Sequence, residues 1–317
     1  MKKALVLGAS GGMGYALVRE LVSRGIEVVA FARGEVRLKA LFEKESNISI
    51  YVGDALVKEN VSQAAKDVDV IFHAVNFPYP VWDATHLLVI DILIHVANAQ
   101  QAKIALVDNI YAYGAASKEA ISEDTQKDPH TKKGKIRLAM EDKLKASNVP
   151  SMIVHFPDFY GPFAESTMLH ETLKNVVQHK SANFVGSTHV AREFIYTYDG
   201  AKAMVELALR ESTYNQNWNI PAAYPITGDE LIQIIREETG YEKPIRTVSK
   251  TMIRFIGLFQ PFMREMVEMM YLTETPVVLS GQKYESEIGP VPVTSYQNGI
   301  RETVKSMMDK TNTVVDL

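Results

Sequence analysis

The chain has 317 residues, 46% hydrophobic and 23% charged, with a formal net charge of -4 and no cysteine. That length allows a large buried core, in two domains or in one large domain with an appended lobe. The composition excludes disulfides, thiolate metal sites and a thiol nucleophile, gives no footprint for nucleic acid or an anionic membrane, and suits a reducing cytoplasm.

The opening "MKKALVLGAS" imitates a signal peptide, but its apolar run is brief and charge resumes at Arg19 and Glu20, so it reads as a strand. Up to about residue 160, short apolar runs alternate with amphipathic stretches. The runs lie at 3–8, 27–32, 48–53, 68–74, 103–108 and 151–156. The first helical stretch, "GYALVRELVSRG", puts Ala16, Leu17, Leu21 and Val22 on one side and stops at Gly25. "LLVIDILIHVANA" is interrupted by Asp91 and His95 and is too short to span a bilayer. Strands that are apolar throughout and alternate with helices imply a parallel sheet covered on both faces. The expected fold is a doubly wound α/β domain of Rossmann type.

Beyond about residue 162 the alternation weakens. "AREFIYTYDGAKAMVELALRE" reads as a strand and a helix, and "NWNIPAAYPITGDELIQIIREETG" as a strand, a turn and a helix beginning near Thr227 or Gly228. Residues 253–272, "IRFIGLFQPFMREMVEMMYL", are dense in Met and Phe. They suit a helical lobe packing its own core, or an adaptable apolar wall of a substrate pocket. The expected division is a dinucleotide-binding domain over 1–162, with 190–222 returning to it. A smaller, mostly helical substrate lobe takes 163–189 and 223–317.

The first strand runs into "VLGASGGMGYALV", where Gly8, Gly11 and Gly14 are spaced G-x-x-G-x-x-G and Gly12 is extra. Glycine lets the strand turn sharply, lets the backbone approach a pyrophosphate, and lets the helix pack closely on the strand. The helix N-terminus then favours the anion. Gly8, Ser10, Gly11, Gly12, Met13 and Gly14 form the candidate phosphate cradle.

The end of the second strand selects the cofactor. It reads "AFARGEVRLK", with Arg33 followed by Arg37 and Lys39. A guanidinium there grips a 2′-phosphate, so NADP(H) is expected over NAD(H). In the other reading Glu35 reaches the ribose of NAD(H) and Arg33 stacks on adenine.

These residues resemble the extended short-chain dehydrogenase/reductase family of nucleotide-sugar epimerases and dehydratases. The similarity is carried by the glycine loop, "YVGDAL" (51–56), "IFHAVN" (71–76), "VDNIYAYG" (107–114), "FPDFYGPF" (156–163), "EFIYTYDGAKAM" (193–204) and "YQNGIRETV" (296–304). It implies that Asp54 and Ala55 lie at the adenine and that Ala74, Val75 and Asn76 pass under the cofactor. Pro157 and Phe159 would lie near the nicotinamide, beside Asp158.

The family's catalytic pattern departs at three positions. Asn109 stands where the family has a Ser or Thr, five residues before the Gly of its Tyr-Gly pair. Within "TKKGKIRLAME", counting back from Glu141, Arg137 takes the place of the family's Lys and Lys133 that of its Tyr. Being four apart, Lys133 and Arg137 share a helix face, which the resemblance turns toward the nicotinamide ribose. Lys132 and Lys135 point to solvent. Arg137 can hold ribose but cannot act as a base. Lys133 is the candidate proton donor, as in isoflavone-reductase-like relatives, and Tyr111 and Asn109 are further catalytic candidates. Tyr113 and Tyr160 are read as packing residues, His73 and His155 as strand histidines, and no metal-ligand spacing is present.

The leading expectation is therefore an NADP(H)-dependent oxidoreductase acting on a small apolar or aromatic carbonyl compound. One alternative is an NADP(H)-binding sensor without turnover, like NmrA-type relatives. Another is a nucleotide-sugar epimerase or dehydratase. A small-molecule substrate and a homodimer are the expected partners.

Overall fold

The computed structural model describes residues 1–115 and 120–315, and side chains through residue 309. β1 (Lys3–Leu7), α1 (Gly12–Ser23), β2 (Glu27–Ala32), α2 (Glu35–Phe42), β3 (Ile48–Val52) and α3 (Lys58–Ala64) form the first half. β4 (Val70–His73), α4 (Trp82–Gln100), β5 (Lys103–Asn109), α5 (Lys132–Lys145) and β6 (Ser151–Phe156) form the second. After them come β7 (Asp158–Tyr160), α6 (Met168–Val177), β8 (Ala182–Val185), β9 (Phe194–Tyr196), α7 (Thr197–Ala208) and β10 (Gln216–Asn219). The chain closes with α8 (Gly228–Thr239), β11 (Ile245–Val248), α9 (Lys250–Ile256), α10 (Pro261–Met266), α11 (Gln282–Glu287) and α12 (Tyr296–Val315).

The main sheet has seven strands in the order β10-β6-β5-β4-β1-β2-β3, and its recorded pairings are parallel. Leu5 of β1 lies opposite Val29 on one side and Ile71 on the other. Chain order reverses between β1 and β4, and such a switch point opens a crevice at the carboxyl ends of the strands. Both faces are covered. Leu17, Leu21, Met204, Leu207 and Trp218 fill one side, and Val89, Leu93, Met140 and Leu144 the other. α4 has the length and hydropathy of a membrane span, but Val89, Ile90, Leu93 and Val96 pack into this core.

Local signals place the ends of these helices. Gly25 has φ +74°, its N–H donates to Val22 O, and Ile26 N donates to Leu21 O. That is a Schellman stop, which uses the left-handed backbone that glycine adopts without strain. Thr227 and Glu230 make a capping box at the start of α8, the mutual satisfaction of orphan donors that such a pair provides.

The remaining elements pack around a third core that includes Leu173, Phe184, Leu231, Ile235, Tyr296 and Ile300. The Met/Phe-rich stretch is two short helices and a 3-10 turn over Val267–Thr273. Pro261 sits in the first turn of α10, where its missing N–H costs nothing but where no preceding helix can run through.

Glu193 ties the two regions together. Its carboxylate accepts hydrogen bonds from Ala222 N (3.0 Å) and Leu279 N (2.8 Å). Burial pushes its carboxyl up to about 7, against the two backbone donors. The folded state then holds the proton more tightly than the unfolded chain, so this group's contribution to stability falls as pH rises from about 4 to about 7. Glu193→Gln removes that slope. Urea unfolding at about pH 4 and about pH 8 should show the variant gaining about 2–4 kcal/mol relative to wild type as pH rises. A pH-independent difference would mean that the fold does not raise the pKa of Glu193.

Candidate active site

At the carboxyl edge of β1 the glycines do different jobs. A Cβ on Gly8, whose φ is +85°, would lie 2.8 Å from Ala74 O, and one on Gly14 would lie 2.0 Å from Gly8 O. Those two serve backbone packing. A Cβ on Gly12 would meet Ala164 at 2.6 Å, so the segment after β7 covers that position. Gly11 is different. Its Cβ would have only Gly8 O within 4 Å, at 3.5 Å, and it caps α1 with no side-chain hydrogen bond. An open approach to an uncapped N-terminus of a 12-residue helix suits a pyrophosphate. Ser10 is half-buried beside it and Met13 is buried beneath. The residues present therefore fit the dinucleotide.

The flanks of the crevice are built from the predicted segments. Ala74 N donates to Leu7 O, with Ala74 and Val75 half-exposed and Asn76 exposed. Asp54 accepts from Leu56 N at 2.9 Å, and Asp54 N donates to Asn60 Oδ1, next to buried Ala55. Pro157 is buried, and Phe159 is half-buried with its ring 5.3 Å from that of Phe156.

The cations after β2 separate. Arg37 pairs with Glu165 at 2.7 Å and Lys39 with Glu35 at 2.6 Å. Arg33 is exposed and, among the described residues, in no ion pair. The first two cations are thus committed within the protein, and so is Glu35.

The opposite wall is α5 packed on the turn after β5. Thr131 caps α5 by accepting from Gly134 N at 3.1 Å. A Cβ on Gly134 would lie 2.5 Å from Tyr111 O, so only glycine lets the helix and the turn meet this closely. Lys133 (1% exposed) and Arg137 (5%) face inward while Lys132 and Lys135 are exposed, as four-residue spacing on a helix requires. The Lys133 ammonium pairs with Glu265 and with Glu268 (2.8 Å), 5.4 Å from the Tyr79 ring centroid. Arg137 lies 3.4 Å from the Asp108 carboxylate and 4.8 Å over the Trp82 ring.

Asn109 Oδ1 accepts from Tyr111 N at 3.0 Å, which makes Asn109 the cap of the turn that carries Tyr111. The Tyr111 and Tyr79 hydroxyls are 3.0 Å apart. Burial pushes both phenols up, Tyr79 to about 12 and Tyr111 well above its ordinary value, with Asp158 adding to both. Burial also raises the Asp158 carboxyl, opposed by Arg192. Tyr113 donates to Asn219 Oδ1 at 2.8 Å, and Tyr160 packs between Tyr196 and Tyr296, both as packing residues.

One group is invisible in the sequence. Asp108, Glu141 and His155 place ligand-type atoms within 4.8 Å of one another, all buried. Lys127 enters this cluster, pairing with Glu141 and lying 2.9 Å from His155 Nε2. Burial alone would raise the Glu141 carboxyl, but His155 and Lys127 offset it and hold it well below the usual range. The positive charge that a metal would supply there comes from Lys127. Glu141 was legible from its helix position. Lys127 sits in an irregular segment with no periodicity to mark it. His73 is buried with neither ring nitrogen hydrogen-bonded among the described residues, and burial pushes its pKa down to about 3.

The model of the NAD dependent epimerase/dehydratase family matches residues 4–220. The spore coat polysaccharide biosynthesis protein SpsK of Bacillus subtilis is 23% identical over 261 residues, covering 78% of this chain and 83% of that protein. Among solved structures, the dTDP-glucose 4,6-dehydratase of Bacillus anthracis, in complex with NAD, superposes with a TM-score of 0.80 at 17% identity, covering 98% of this chain and 97% of that one. The UDP-glucuronic acid 4-epimerase of Bacillus cereus, also with NAD, gives 0.78 at 17% identity, covering 97% and 99%. Over two thirds of its length, from β1 through β10, the chain belongs to the NAD dependent epimerase/dehydratase family.

Proposed function

We propose that this protein is an NADP(H)-dependent enzyme that reduces a carbonyl group on a nucleotide-activated sugar, with Tyr111 as proton donor and Arg137 holding the nicotinamide ribose. The observation that carries the reading is the Tyr111–Tyr79 hydroxyl pair, held 3.0 Å apart beside the α5 face that bears Arg137. A phenol whose pKa is raised by burial keeps its proton at neutral pH. It is therefore present in the form that can donate, to an alkoxide more basic than itself, and not as a base for an alcohol. The cofactor, when bound, supplies the hydride. Asn109 fixes the turn that aims Tyr111. Lys133 is the second candidate donor, and its ammonium is engaged by two glutamates.

The sugar-nucleotide class comes from the relatives, whose names include dTDP-glucose and UDP-glucuronic acid enzymes. It displaces the apolar or aromatic substrate read from the Met/Phe-rich stretch. Phe255, Leu258 and Phe259 face solvent, while Ile253, Met266 and Met270 pack on one another. Phe262 is the aromatic of that stretch that stacks on Tyr79, at 5.4 Å. The test is NADPH oxidation with nucleotide-linked keto sugars. Tight NADPH binding with no turnover on any of them would favour the sensor reading.

Arg33 carries the cofactor preference. It stands uncommitted at the end of β2, where the 2′-phosphate of NADP(H) would lie. NADPH should bind at least about tenfold more tightly than NADH, and Arg33→Ala should remove most of that difference, as loss of one charge-assisted contact does. Equal affinities of the wild type for the two, measured by fluorescence titration, would refute the assignment and favour NAD(H), the cofactor in the solved relatives.

A further inference from the structure

We infer that the α9–α10 hairpin is an interfacial anchor that docks this protein on an anionic lipid bilayer. Two independent features of residues 243–264 converge on it. The first is apolar exposure. Phe255 is 67% exposed, Leu258 70% and Phe259 78%, with Met252 beside them. The Phe255 and Phe259 rings lie 6.2 Å apart, so these side chains form one patch at the hairpin tip. Single exposed apolar residues are ordinary, but a cluster of large ones marks a contact surface.

The second feature is charge. Lys243, Arg246, Lys250, Arg254 and Arg264 lie in this stretch with no acidic residue among them, in a chain of net charge -4. All five are exposed. Arg246, Arg254 and Arg264 make no ion pair among the described residues, and Lys250 has only a 3.8 Å pair with Glu274. Exposed Phe and Leu that share a short hairpin with Lys250, Arg254 and Arg264 are what a surface-bound element needs. Its apolar side chains enter the acyl boundary while the cations meet anionic headgroups. A second copy of the chain is a poorer occupant, because a symmetric contact through this patch would bring like charges together.

The hairpin is rigid enough to hold this shape. Ile253, Met266 and Met270 anchor it from within. At the bend, a Cβ on Gly257 would lie 2.9 Å from the Arg264 backbone, so the two helices close tightly only around glycine. Phe262 and Glu265 fasten the inner end to Tyr79 and Lys133, and the free tip is the part that projects.

The test is sedimentation of the full-length protein with vesicles of phosphatidylcholine alone and with about 30% phosphatidylserine. Binding to the anionic vesicles, weakening with salt, is expected. F255S/F259S should bind them about a hundredfold more weakly, since each Phe accounts for about tenfold, with unchanged circular dichroism and NADPH titration. Arg254→Gln/Arg264→Gln should reduce the preference for anionic over neutral lipid. Failure of the wild type to sediment with anionic vesicles at low salt overturns the inference, as does binding that neither variant alters. A wild type that self-associates without binding vesicles, paired with a monomeric F255S/F259S, would assign the patch to a second copy instead.

Discussion

Gly11→Val should abolish dinucleotide binding while the protein still folds. Gly11 is the glycine of the loop at which an added side chain has room within the protein, its nearest neighbour being Gly8 O at 3.5 Å. Its φ of -89° is open to any residue, so the substitution stores no backbone strain. The cost falls on the ligand, because a branched side chain would stand where the pyrophosphate must approach the α1 N-terminus. Affinity for NADPH should fall by at least about a hundredfold, which corresponds to about 2.7 kcal/mol, with native circular dichroism and melting. Gly14→Val provides the contrast. Its Cβ would lie 2.0 Å from Gly8 O, and it should reduce stability itself. Retained binding in folded Gly11→Val would place the phosphate elsewhere.

The second large effect separates the two candidate donors. Tyr111→Phe should leave NADPH affinity within about twofold and lower turnover by about 10²–10⁴-fold, the usual contribution of a general acid. The ring that packs beside Trp82 is retained, and the lost atom is the hydroxyl 3.0 Å from Tyr79. Lys133→Met should behave differently. It leaves Glu265 and Glu268 facing each other without their cation, so unfolding free energy should drop by about 1–3 kcal/mol. Single-turnover measurements with NADPH, alongside urea unfolding of both variants, check the pair. If Lys133→Met abolishes turnover at full stability while Tyr111→Phe is active, the ammonium is the donor and its glutamates serve to position it. Arg137→Met should weaken NADPH binding in either case if Arg137 holds the ribose as proposed.

The α/β alternation was legible in the sequence because fully buried parallel strands are apolar at every position, and β1, β4 and β6 are buried almost throughout. The glycine loop was legible because its spacing combines glycines that the strand-to-helix turn requires, Gly8 and Gly14, with one, Gly11, that leaves the helix N-terminus open. That Lys133 and Arg137 share a helix face followed from their spacing, and the resemblance to the family gave its inward direction. Sequence also determined the place of Arg33 at the end of β2.

What it could not determine was which partner each charged group meets. The chain marks Arg33 at the end of β2 with Arg37 and Lys39 nearby, but only folding brings Glu165 to Arg37 across 128 residues and leaves Arg33 out of any described ion pair. Lys133 is a candidate proton donor along the chain, and the fold engages its ammonium with Glu265 of α10 and Glu268 of the turn after it, 132 and 135 residues away. Lys127 carries no local pattern at all, yet it reaches both Glu141 and His155, which are themselves 3.0 Å apart. The Met/Phe-rich stretch showed the same limit, because composition records that a side chain is apolar and only packing decides whether it turns inward, as Met270 does, or outward, as Phe259 does. Periodicity is a property of neighbours along the chain and survives in the sequence. Ion pairs and patches are set by elements that meet in space, so only the tertiary structure could assign them.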